Sequence, residues 1–221
     1  MRARKAAFVD SREPCVRECR SVPGRTSKQN LRRLLTWTAL CASLLLVAAC
    51  GGSLYKVSPR VDAPISKRAG EASGGGIRLR AVPLLTDEES QQLFEANLPL
   101  GGLLPVRVEI RNESGAELEL KRARFLLRDE AGREWKMRSA KQAVSRILEA
   151  NDVTFYNPSS RREFEQRVGA HALDLSTPLA PSESRRGLIF FQTPRKEAVR
   201  SPRGLVLIVE KLAQPVALRL N

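Results

Sequence analysis

Between positions 106 and 111 of the stretch 104–112 apolar and polar residues alternate without a break. Leu104, Val106, Val108 and Ile110 fall on one face, and Arg107, Glu109 and Arg111 fall on the other. A period of two is the mark of a strand with one buried side. The same alternation recurs at 77–82, where Pro83 ends it, at 117–121 running on through Ala123, Phe125 and Leu127, at 133–138 with Trp135 and Met137 in phase, and at 216–220. Residues 185–192 and 204–210 are too continuously apolar to alternate and read as central strands. Turn chemistry separates them: Asn112-Glu-Ser-Gly115, Asp129-Glu-Ala-Gly132, the Pro181 stretch and the Pro215 stretch.

Helical spacing appears three times. Thr86 followed by Glu89 is a capping box, predicting a short helix to about Asn97 that buries Leu93 and Phe94. Ala143, Val144, Ile147 and Leu148 make an apolar stripe along 139–151. Asn157-Pro158 opens a third helix, ending near Gly169. The predicted class is mainly β: an Ig-like antiparallel β-sandwich of about seven strands with two or three short helices. These elements occupy 77–221, which defines the folded domain.

A continuous apolar run precedes that domain. Residues 34–49 are mostly apolar and follow Arg25, Lys28, Arg32 and Arg33. That order is a secretory signal, and the run falls short of the roughly 20 residues of a permanent span. An uncleaved anchor helix is the alternative. Val47-Ala48-Ala49-Cys50 then resembles the bacterial lipobox, with an aliphatic residue, two small residues and a cysteine. The resemblance implies that the Cys50 thiol takes a diacylglyceryl group, that signal peptidase II cuts before it, and that the freed amine is acylated. Two or more chains make such anchoring stable where one does not. The expected layout is a signal peptide at 1–49, lipidated Cys50 with a flexible Gly/Ser/Pro-rich linker to 76, and the domain. Positions 1–21 are polar and long for a signal n-region, so the true start is expected at Val22.

Charge changes the picture less than its total suggests. The chain carries a formal +14, but residues 1–49 hold 10 Lys and Arg against 3 Asp and Glu, while residues 50–221 hold 28 against 21. Half the excess leaves with the leader. The rest is a mixed-sign surface without interleaved base-stacking aromatics, which argues against nucleic acid as a partner. Of the four cysteines, Cys15, Cys19 and Cys41 lie in the leader and Cys50 is the lipid acceptor. The mature chain is therefore expected to carry no disulfide and no metal or other cofactor.

Catalytic chemistry is thin. His171 is the single histidine, with Asp174 three residues on, so at most one Ser-His-Asp set is conceivable. The pairs Glu88/Glu89 and Glu163/Glu165 read as a helix cap and a solvated helix face. Two interaction candidates remain: Phe155-Tyr156 beside a loop, and Arg195, Lys196, Arg200 and Arg203 between the two most apolar strands.

The order Leu85-Thr-Asp-Glu-Glu, Leu104-Pro-Val-Arg-Val-Glu-Ile-Arg-Asn and Leu179-Ala-Pro-Ser-Glu-Ser-Arg-Arg-Gly-Leu-Ile-Phe-Phe resembles a group of bacterial lipoproteins with one Ig-like sandwich. The resemblance implies an exported, lipid-anchored protein with no catalytic residues to transfer. Gly51 after the cysteine favours the outer membrane, facing the periplasm or the cell surface. The expected role is a non-catalytic binding or assembly module. It would meet the membrane through its lipid and an envelope protein or anionic envelope polymer through its surface. The alternatives are an accessory hydrolase and a stress-response or ligand-binding lipoprotein.

Overall fold

The computed structural model describes residues 56–60, 65–66 and 69–221. The leader, the start expected at Val22, Cys50 and the linker positions 51–55, 61–64 and 67–68 lie outside the described residues. In chain order the elements are β1 (Gly70–Gly74), β2 (Ile77–Pro83), α1 (Asp87–Phe94), β3 (Leu103–Asn112), β4 (Arg124–Arg128), β5 (Glu134–Arg138), α2 (Ala140–Ala150), α3 (Pro158–His171), β6 (Ser184–Gln192), β7 (Val206–Glu210) and β8 (Val216–Arg219), with a 3₁₀ turn at Pro99–Gly101 before β3.

Among the described residues the eight strands form one antiparallel sheet, ordered β1-β2-β3-β6-β5-β4-β7-β8. The mainly antiparallel β class matches the alternation in the sequence. The layering differs: β8 returns to lie against β1 and touches β2, so the sheet nearly closes on itself in a barrel-like form instead of dividing clearly into two layers. Glycine explains how the seam draws in. A Cβ on Gly70 would sit 2.6 Å from the Arg219 carbonyl oxygen, and one on Gly75 would sit 2.4 Å from that of Gln214.

That seam also moves the start of the domain. Residues 70–76, expected as the end of the linker, are a hairpin. Gly70–Gly74 pairs with β2, and Gly75 and Gly76 turn the chain with φ of +58° and +80°, the left-handed pair that a tight hairpin demands. Part of the expected linker before it is docked as well. Val57 and Ile65 are buried. Ser58 donates its N–H to the Leu93 carbonyl at 2.9 Å and its hydroxyl to that of Gln92 at 2.6 Å. The expected strand at 117–121 is reduced to a single bridge between Leu118 and Leu179, because this segment meets the Pro181 turn instead of a sheet partner.

Two cores follow from the period of two. Inside the sheet lie Leu79, Val106, Val108, Phe125, Leu127, Ile189, Phe191, Leu207 and Leu218. Outside it, the three helices cover Leu103, Leu188 and Phe190 with Phe94, Val144, Ile147, Phe164 and Val168. The strand β6 is thus buried on both faces, which is why its sequence does not alternate. Helix termini obey their local chemistry. Thr86 accepts from the Glu89 N–H while Glu89 accepts from the Thr86 N–H, and Ser139 and Gln142 do the same for α2. Where α3 ends, the chain crosses back over β6 at Gly187, whose missing side chain admits the Leu173 backbone.

Candidate functional site

A cleft of about 580 Å³ opens between the β4–β5 turn and the long loop from β6 to β7. Its floor is set by Asp129. Turn residues Asp129–Arg133 close on themselves, with the Gly132 N–H donating to the Asp129 carbonyl at 2.9 Å and Gly132 at φ +73°. This aims the Asp129 carboxylate inward. Its Oδ2 accepts from Trp135 Nε1 at 3.1 Å and from Arg133 Nε at 2.9 Å, and its Oδ1 accepts from the Arg133 backbone N–H at 3.0 Å. Burial alone would raise the Asp129 pKa. The bonds from Trp135 and Arg133 outweigh it and hold the group below its ordinary value.

The opposite wall is the loop after β6. The Thr193 N–H donates to the Gly102 carbonyl, its hydroxyl to the Glu197 carbonyl at 2.7 Å, and the Val199 N–H to the Pro99 carbonyl. Arg146 of α2 reaches across to the Gly101 and Lys196 carbonyls at 2.8 and 3.1 Å. Glu197 accepts from the Arg195 N–H and from Arg133, so the two walls are joined by one ionic chain, Asp129–Arg133–Glu197. The loop holds Lys196 and Ser201 at positive φ, +61° and +41°, conformations that persist only when the surroundings impose them.

Of the loop cations expected to meet a partner, Arg200 and Arg203 line this cleft, are exposed, and have no acidic partner among the described residues. Arg195 and Lys196 do not line it. Arg195 is exposed on the loop, and Lys196 borders a separate groove beside α2. The Phe155-Tyr156 pair splits. Phe155 is half-buried, its ring 6.2 Å from that of Phe164, whereas Tyr156 is 96% exposed. Neither lines the cleft.

Sequence reasoning missed the other cleft residues. Asp129, Glu130 and Ala131 carry a turn signal and Trp135 a strand signal, and nothing in their spacing indicates that they share a cleft with Arg200 and Arg203. The carboxylate of Glu130, with no ion-pair partner among the described residues, stands on the rim, and its N–H is bonded to the Arg203 carbonyl at 3.1 Å.

The triad considered from the sequence does not assemble. His171 is buried, with Nε2 2.7 Å from the Ser58 carbonyl oxygen and its ring edge-on to Phe94. Asp174 is turned into its own loop. It accepts from the Ser176 N–H and hydroxyl at 2.8 and 2.6 Å and from the Thr177 hydroxyl at 2.6 Å, which drives its pKa far below the ordinary range. Glu163 and Glu165 pair with Arg167 and Arg161 one turn away, a solvated helix face. Among the described residues no three His, Cys, Asp or Glu side chains group as metal ligands, and no helix is long and apolar enough to cross a membrane.

Comparison with protein-family models, with curated proteins and with solved structures finds no match to this chain.

Proposed function

We propose that this protein is an exported lipoprotein, anchored through Cys50 to the outer membrane, and that it works as a non-catalytic binding module of the cell envelope. The localisation rests on the sequence: a charged n-region, a short apolar run and a lipobox-like Val-Ala-Ala-Cys. The binding role rests on one observation. The 580 Å³ cleft presents Arg200 and Arg203 without acidic partners among the described residues, on walls that the Asp129–Arg133–Glu197 chain joins. Unpaired guanidinium groups on a fixed wall are suited to carboxylate or phosphate groups of an envelope polymer or protein, which they grip in two-pronged fashion. Glu130 on the facing rim favours a ligand that also bears a cationic or N–H group.

The alternative Ser-His-Asp hydrolase loses its premise, because the His171 and Asp174 side chains are each engaged elsewhere. Photocrosslinking from the cleft rim in intact cells tests the binding role. The expected result is one specific envelope component captured by the native protein and lost in the double variant Arg200→Gln, Arg203→Gln. Capture unchanged by that variant would refute the assignment to this cleft.

A further inference from the structure

The outer face of the sheet carries a second basic feature, separate from the cleft. The period of two puts Arg138 of β5 on that face, together with Phe190 and Gln192 of β6. Phe190 packs under α2 with Val144 and Ile147. Gln192 is the next residue on the face. It lines a groove of about 330 Å³ between α2, the ends of β5 and β6, and the turn that carries Lys196. These four walls lie wholly within the described residues. The groove and the cleft have no lining residue in common.

Charge in the groove is one-sided. Arg138, Lys141, Arg146 and Lys196 line it against a single carboxylate, Glu149. Arg146 takes that carboxylate at 3.0 Å. The hydrogen bond and charge of Arg146, followed by the charge of Lys196, hold the Glu149 pKa below its ordinary value. Arg146 is otherwise spent on the Gly101 and Lys196 carbonyls. Arg138 and Lys141 have no acidic partner among the described residues. The helix α2 also begins here, with the positive end of its dipole, and its first turn carries Lys141 and no acid.

Gln192 adds an observation independent of charge. It is only 5% exposed, and its Oε1 accepts from Arg138 Nε at 2.8 Å. That bond fixes which way the amide faces, because an NH₂ group cannot accept it. The two N–H donors of the amide have no partner among the described residues. Buried amides are ordinarily satisfied. An oxyanion would accept from this donor pair and answer Arg138 and Lys141 together. The lining's excess of positive charge suits a dianion better than a single carboxylate. We infer that this groove binds a phosphate group, with Gln192, Arg138 and Lys141 as its donors. The volume equals eleven waters at roughly 30 Å³ each, which leaves room for a small group esterified to the phosphate.

Thermal unfolding of the full chain tests the inference. The titrants are inorganic phosphate, glucose 1-phosphate and short-chain phosphatidic acid, with acetate for comparison, each against sodium chloride at equal ionic strength. The three phosphates separate a free ion, a sugar phosphate and a lipid headgroup. The native protein should show a saturable rise in unfolding temperature with at least one phosphate, and should bind acetate at least tenfold more weakly. Gln192→Glu keeps the acceptor for Arg138 but puts a charged oxygen in place of the donor pair, and should bind that phosphate at least tenfold more weakly. Lys141→Met changes an exposed side chain without a partner and should bind it at least threefold more weakly. The cleft variant Arg200→Gln, Arg203→Gln should bind it as the native protein does, so that this site and the cleft stand or fall separately. Four results would overturn the site: no saturable rise with any phosphate, acetate bound as tightly as phosphate, a native response in Gln192→Glu or Lys141→Met, or a response lost in the cleft variant.

Discussion

Replacing Asp129 by Asn changes one atom and tests the account of the cleft floor. The carboxylate is 6% exposed and accepts three hydrogen bonds, two on Oδ2 and one on Oδ1. Asparagine has one oxygen. Turned either way, its NH₂ group faces a donor: Trp135 Nε1 and Arg133 Nε on one side, or the Arg133 backbone N–H on the other. Losing a buried, charge-assisted bond costs about 1.5–3 kcal/mol. The Arg133 side chain is more than half exposed, so its share of the ion pair adds at most about 1 kcal/mol. The expected loss is about 3 kcal/mol, or roughly 6–12 °C in unfolding temperature for a domain of this size. Urea and thermal unfolding, read by far-UV circular dichroism and by the emission of Trp135, the one tryptophan after Cys50, measure it.

The pH dependence has a fixed sign. The native pKa of Asp129 lies below its ordinary value of 3.8, so its stabilisation is fully present above that value and is lost as pH falls through the lowered native pKa. The gap between native protein and Asp129→Asn should therefore be largest near neutrality and shrink in acid. A gap below about 0.5 kcal/mol at pH 7, or one that does not change with pH, would refute the reasoning.

Two further substitutions probe packing. A Cβ at Gly187 would lie 2.4 Å from Leu173 Cα and 2.5 Å from its nitrogen, both backbone atoms. Gly187→Ala should therefore break the Leu173–Leu188 hydrogen bond and cost about 3 kcal/mol by denaturant unfolding, and a neutral result would contradict the close crossing. Ser90 is fully buried and its hydroxyl has no hydrogen-bond partner among the described residues. Ser90→Ala should stabilise the protein by about 1 kcal/mol by removing that group and improving helix propensity, whereas a loss of stability would mean that the hydroxyl is satisfied.

Elements whose own side chains carry a pattern were legible in the sequence. Val106, Arg107, Val108 and Glu109 announce which face of β3 is apolar, and Thr86 with Glu89 announces where α1 begins. What was not legible depends on partners remote in the chain. Glycine has no side chain to show a period, so β1 read as linker, although its bareness is what lets the seam close. Val57 and Ile65 are single apolar residues in polar surroundings, and only the helix and sheet surfaces they cover give them meaning. The sheet closure follows from strand register, which local alternation does not encode. Arg200 and Arg203 were readable as a basic loop. That Asp129, Glu130 and Trp135 face them, while Tyr156 and Lys196 do not, is decided by the tertiary path of the loop after β6.

Intact-mass spectrometry of the protein purified from envelope membranes tests the central claim most directly. The account predicts a chain that begins at Cys50 and carries the added mass of its acyl chains. A chain that retains residues 34–49, or one with an unmodified Cys50 thiol, would contradict it.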